Sequence, residues 1–200
     1  MRKYLYILFA LLFLPLSASA WMSPIVCSGG GQSSSLSCQS YVSAAGTVNS
    51  YGVCETPYVY YAGQAQWSPA SGTVSICKVS FTLSLGLGSV TGYTYYAKIW
   101  SMDGTSLDTV LGTSTGVKGS NAWSDTDVEF TFSSPVSCSA GTDYAITVDH
   151  GETENGLNYI RINRNGANTL NGYVAHWEKG KTIYGSVANR EASFAISTMQ

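Results

Sequence analysis

The chain has 200 residues, enough for one undivided all-β domain. Only 11% of them are charged. With Arg2 and Lys3 set aside as part of an export leader, eight basic residues face twelve acidic ones, a formal net charge of −4. There is no basic run, which excludes the electrostatic footprint of a nucleic-acid binder, so no nucleic-acid partner is expected.

Residues 1–20 have the build of a signal peptide. Arg2 and Lys3 give a positive start, Tyr4 to Leu16 an apolar run too short to span a bilayer, and Ala18-Ser19-Ala20 a small-residue cleavage site. No later segment is long and apolar enough for membrane insertion, so the expectation is a secreted protein, extracellular, periplasmic or held at a cell surface. The five cysteines, Cys27, Cys38, Cys54, Cys77 and Cys138, all follow the leader and would meet an oxidising compartment. Without a Cys-x-x-Cys or a nearby His, disulfides suit them better than metal. An odd count leaves one thiol over, open to a covalent dimer.

Residues 21–37, rich in Gly and Ser, have the composition of a flexible spacer. Residues 38–65 form a Cys-containing segment in which Val42, Val48 and Val53 hint at short strands. A Cys38–Cys54 bridge would close it into a loop. From residue 66 onward the chain alternates in period two, as strands with one buried face do. The expected strands are Ala65–Ser68, Thr73–Leu85, Tyr93–Ser101, Val110–Val117, Thr126–Phe132, Asp143–Asp149, Leu157–Asn163, Tyr173–Trp177 and Ser193–Thr198. Gly-rich turns separate them, and no helical repeat appears. This predicts a two-sheet antiparallel β-sandwich over 66–200, with a jelly roll preferred to an immunoglobulin-like order.

The ordered series Gln66-Trp67-Ser68-Pro69, Val79-Ser80-Phe81-Thr82-Leu83, Ala97-Lys98-Ile99-Trp100, Val110-Leu111-Gly112-Thr113-Ser114, Val128-Glu129-Phe130-Thr131-Phe132 and Pro135-Val136-Ser137-Cys138-Ser139-Ala140-Gly141 resembles the jelly-roll domains of secreted bacterial and phage-associated proteins. These are similar to carbohydrate-binding modules and choice-of-anchor surface domains. The resemblance covers residues 66 to about 150 and implies fold more firmly than function. Cys77 and Cys138 stand where such domains usually carry apolar core residues, which implies a Cys77–Cys138 bridge.

Candidate chemistry is sparse. Gly112-Thr113-Ser114-Thr115-Gly116, with Asp149, His150 and His176, spells a nucleophile elbow, but the elbow needs a strand-to-helix turn and no helix pattern follows. Asp125, Asp127 and Glu129 sit close in sequence, and Asp127 and Glu129 share an outward strand face, the usual place of a solvated edge rather than of a facing glycosidase pair. Asp149, Glu152 and Glu154 offer loop oxygens of the kind Ca²⁺ takes, without the spacing of a calcium loop, so a structural Ca²⁺ is the one metal considered and no cofactor is expected. The stronger signal is outward aromatics beside polar groups. Alternation turns Trp100, Tyr159, Arg161, Asn163, Tyr173 and Trp177 away from the core, and rings with a few placed polar groups suit sugars. The competing expectation is that these rings simply cover a sheet's second face. The resulting reading is a non-catalytic, secreted binding module for a glycan or cell-surface component. A structural or adhesive subunit is the alternative, and a secreted hydrolase a more distant one.

Overall fold

A computed structural model describes residues 36–44, 52–53, 59–151, 157–165, 172–187 and 190–200. The expected signal peptide, most of the expected spacer, Cys27 and Cys54 lie outside these residues. Within the unit Ser35–Gln200 the described elements are all β, and two antiparallel sheets pack face to face, as the alternation predicts.

The strands are β1 (Cys38–Ala44), β2 (Gly52–Val53), β3 (Tyr61–Trp67), β4 (Thr73–Leu87), β5 (Thr94–Asp103), β6 (Ser106–Thr113), β7 (Val117–Lys118), β8 (Thr126–Ser139), β9 (Tyr144–Asp149), β10 (Tyr159–Ile162), β11 (Arg164–Asn165), β12 (Tyr173–Trp177), β13 (Ile183–Val187), β14 (Glu191–Ala192) and β15 (Phe194–Met199). A six-stranded sheet runs β1-β15-β4-β10-β2, with β8 along the other side of β4. A seven-stranded sheet runs β13-β12-β3-β9-β5-β6, with β7 also on β5. The main core lies between them. Val79, Phe81, Leu83, Phe130, Ile160, Ile162 and Ile196 come from the first sheet and Ala97, Ile99, Ile146, Val148 and Val174 from the second. Phe81 packs edge-on to Phe130 and stacked on Phe194, the offset geometries that aromatic quadrupoles favour.

The segment 38–65, set apart by its composition, contributes β1, the short β2 beside β10, and most of β3 to this sandwich. β1 pairs with β15, and β3 lies between β12 and β9 in the second sheet. β8 runs on past Phe132 through Pro135, which an edge strand tolerates because it has ladder bonds to one neighbour only.

Among the described residues the disulfide is Cys38–Cys77, which excludes both Cys77–Cys138 and Cys38–Cys54. Cys138 does face the core, fully buried, but as a free thiol pushed up to about 12 by burial. The reason is a register shift in β4 between Ile76 and Lys78. Ile76 and Val79 both point into the core, so the alternation changes parity around Cys77 and removes it from Cys138. Cys77 instead meets Cys38, their Cα atoms 6.0 Å apart, and the bond ties β1 to β4 across the intervening β15. This bond points to an oxidising compartment. Among the described residues, no helix is long and apolar enough to cross a membrane. Buried Cys138 is not placed to bridge two chains.

β10 and β15 lie end to end beside β4, β10 opposite Leu83 to Leu87 and β15 opposite Ile76 to Phe81. At the gap between them the chain leaves the sheet through β11, contributes β12 and β13 to the other sheet, and returns through β14. Backbone bonds close the gap: Asn163 N to Thr82 O at 2.9 Å, Ser193 N to Asn163 O at 2.7 Å and Thr82 N to Ser193 O at 3.0 Å.

Candidate functional site

The six residues with outward aromatic or polar side chains do not converge. Trp100, Tyr173 and Trp177 lie on the outer face of the seven-stranded sheet, while Tyr159, Arg161 and Asn163 lie on the outer face of the six-stranded one, because Ile160 and Ile162 between them enter the core. The sandwich separates the two groups.

On the seven-stranded sheet the rings build a second apolar cluster. Trp100, Trp177, Tyr60, Tyr61 and Leu107 pack over a floor of small residues, Ala65, Ala145 and Ala175, with Tyr173 at its margin. Trp100 is 2% exposed and Trp177 0%. Their indole N–H groups are committed, Trp100 donating to Thr147 Oγ1 and Trp177 to the Thr105 carbonyl, both at 2.9 Å. The tip of the β5–β6 hairpin meets the β12–β13 hairpin through Leu107 N to Lys181 O at 3.0 Å. Rings so enclosed cover the sheet's second face rather than offering it to a flat ligand.

Beside this cluster lies a fully buried carboxylate. Asp149 pairs with Lys98 at 2.9 Å, and the Lys98 ammonium sits 5.6 Å from the centre of the Tyr61 ring. Burial pushes the Asp149 carboxyl above the usual carboxylate range, with Lys98 and then the Gly151 amide offsetting part of it. Asp149 is therefore taken up by an ion pair on the covered outer face of the seven-stranded sheet, and Glu152 and Glu154 lie outside the described residues. Among the described residues no group of three or more His, Cys, Asp or Glu could hold a metal ion. Ser114 is likewise committed: its buried hydroxyl accepts the Ala97 N–H and donates to the Thr115 carbonyl, both at 2.9 Å. The elbow pattern is strand end and loop.

The outer face of the six-stranded sheet is different. Along β10, Tyr159 and Arg161 stand together, the guanidinium carbon 5.7 Å from the ring centre and Nη2 donating to the phenol oxygen at 3.3 Å. Gly86 makes room for this ring, since a Cβ there would fall 2.2 Å from its edge. Next comes Asn163, fully buried, whose Nδ2 donates to Asp125 Oδ1 at 2.6 Å. Ser84 donates to the same oxygen at 2.8 Å and accepts the Asp125 N–H at 2.9 Å. Asp125 sits at φ +51°, a left-handed conformation that Asp tolerates better than most residues, and this turns its carboxylate onto the sheet. Thr82 donates to Asp127 Oδ1 at 2.6 Å, so its contact with the Ser193 hydroxyl at 2.8 Å has Ser193 as donor. The hydrogen bonds from Asn163 and then Ser84 hold the Asp125 carboxyl below its usual range.

The result is a polar row over the gap between β10 and β15. Asn163 and Ser193 form a buried floor, and Asp125 and Asp127 stand exposed on it. Each carboxylate has Oδ1 tied into the network, and among the described residues neither Oδ2 takes a hydrogen bond. Of these residues the outward-facing pattern marked Tyr159, Arg161 and Asn163. Asp125 and Asp127 were visible only as nearby carboxylates, because the contact between a turn residue and Asn163 depends on which strands are neighbours. Compared with protein-family models, with curated proteins and with solved structures, the chain matches none.

Proposed function

We propose that the protein is a secreted, non-catalytic binding module that takes a glycan or glycan-bearing cell-surface component along the outer face of its six-stranded sheet. The observation that carries this reading is the preorganised row Tyr159, Arg161, Asn163, Asp125 and Asp127. Its acceptors are fixed from below by Ser84, Thr82 and Asn163 and remain accessible from above. Fixed acceptors lose little freedom when a ligand arrives, which is where weak polar contacts usually forfeit affinity. A sugar hydroxyl matches them, being a small donor with a proton to give. Burying Asn163 and Ser193 is costly unless each is bonded, and an apolar sheet face would be the cheaper way to build a scaffold alone. The resemblance of the strand and turn pattern of residues 66–150 to jelly-roll carbohydrate-binding modules belongs to this proposal and supports it.

The test is a polysaccharide pull-down and glycan array with the intact secreted protein beside Tyr159→Ala, Arg161→Ala and Asp127→Ala. Retention that falls about tenfold or more in these variants, at unchanged circular dichroism, is the expected result. Retention by no polysaccharide, or retention indifferent to all three changes, refutes the proposal.

A further inference from the structure

We infer that the row selects its saccharide by charge, accepting uncharged hydroxyl-rich chains and rejecting those that carry uronate or sulfate. This rests on the reading of the row as a saccharide site and adds which saccharides enter it. The two groups that stand exposed over the gap are carboxylates, Asp125 and Asp127, whose Oδ1 atoms are already bonded and whose Oδ2 atoms can only accept. A neutral sugar hydroxyl has a proton to give them. An acidic group at neutral pH has none and would set acceptor against acceptor and charge against like charge, the repulsive element that gives an interface its selectivity.

Arg161 and Lys78 do not reverse this. Arg161 is drawn over Tyr159 at the far end, its Nη2 held by the phenol oxygen. Lys78, further along β4, is bound by Glu129 at 2.9 Å, so that pair is neutral. Asp125, Asp127 and Arg161 together carry a formal charge of −1. The acidic balance of the whole chain adds to the exclusion at low ionic strength, while the contact repulsion persists at higher salt. Because Asn163 and Ser84 favour the ionised form of Asp125, the exclusion extends into mildly acidic solution.

The experiment uses the intact protein on surfaces bearing matched neutral and acidic polymers: dextran against dextran sulfate, and a neutral galactan against polygalacturonate. All are run at about 0.15 M salt. The expected result is retention on at least one neutral polymer, about tenfold or more above its acidic counterpart, with the gap closing in Asp127→Asn. Equal or stronger retention on the acidic polymers overturns the charge rule while leaving a binding module. A neutral preference that survives both Asp127→Asn and Asp125→Asn overturns it too, because the selection would arise elsewhere. Retention on none of these and on no other glycan removes the binding reading itself.

Discussion

Removing the Cys38–Cys77 bridge provides a quantitative test of how the fold is held. The bond closes a separation of 39 residues that takes in β1, β2 and β3 before reaching β4. The loop-entropy relation gives about 4 kcal/mol for a closure of that length, through restriction of the unfolded chain. For a domain of this size each kcal/mol moves the melting midpoint by about 2–4 °C, so the loss corresponds to a fall of about 8–16 °C. The appropriate protein is the double variant Cys38→Ser with Cys77→Ser, which leaves no lone reactive partner. Its thermal unfolding would be followed by circular dichroism beside the oxidised wild type. Near Cys77 the local cost is small, since its sulfur otherwise only approaches the Ser197 carbonyl at 3.2 Å. A non-reduced digest supplies the second readout, a Cys38–Cys77 peptide pair. A midpoint within about 2 °C of wild type, or a digest containing Cys77–Cys138 or Cys38–Cys54, refutes the reasoning.

Three further outcomes follow from the same structure. Trp177→Ala empties a fully buried site in the second cluster and is expected to cost about 3–5 kcal/mol in urea unfolding, where a ligand-platform ring would cost far less. Asp149 has its folded-state pKa raised by burial, so the folded protein binds its proton more tightly than the unfolded chain does. Its contribution to stability therefore falls as pH rises from the ordinary Asp value through the raised one. Wild-type stability minus that of Asp149→Asn should decrease over that interval; a value that increases contradicts the assignment. Cys138, buried and pushed up to about 12, should resist iodoacetamide in the native protein and react on unfolding. Labelling of the native thiol would show that the core is open there.

Period two was enough to place most of the strands, because an alternating segment can bury only one face. What it could not supply was everything that depends on neighbours. β1 is a polar edge strand whose order comes from β15 and a disulfide, and nothing in Cys38–Ala44 alone announces the neighbour or which cysteine completes the bond. β13, Ile183–Val187, alternates too weakly to stand out and forms against β12. One register shift at Cys77 was sufficient to overturn the cysteine pairing, since a bulge adds a residue without changing the sequence's appearance as a strand. The candidate site shows the same division. Tyr159, Arg161 and Asn163 were legible from Ile160 and Ile162, whereas Asp125 joined them only through its left-handed turn and the adjacency of β8, β4 and β10.

The two outer faces explain why the large aromatics are poor guides to the site in this protein. A sheet with small residues on its outer face, as at Ala65, Ala145 and Ala175, leaves room for rings to lie down, and burying them is favourable. Trp100 and Trp177 are then consumed in stability, their N–H groups bonded internally and their faces covered. The six-stranded sheet carries Ser80, Thr82 and Ser84 on its outer face, which gain little by being covered and can hold a carboxylate in place. On the proposed reading, stability and recognition fall to different sheets according to the size and polarity of their outward residues. A Trp177→Phe protein melting at a lower temperature with unchanged glycan retention would be the direct sign of that separation. Weakened retention at equal folding would return the site to the aromatic face.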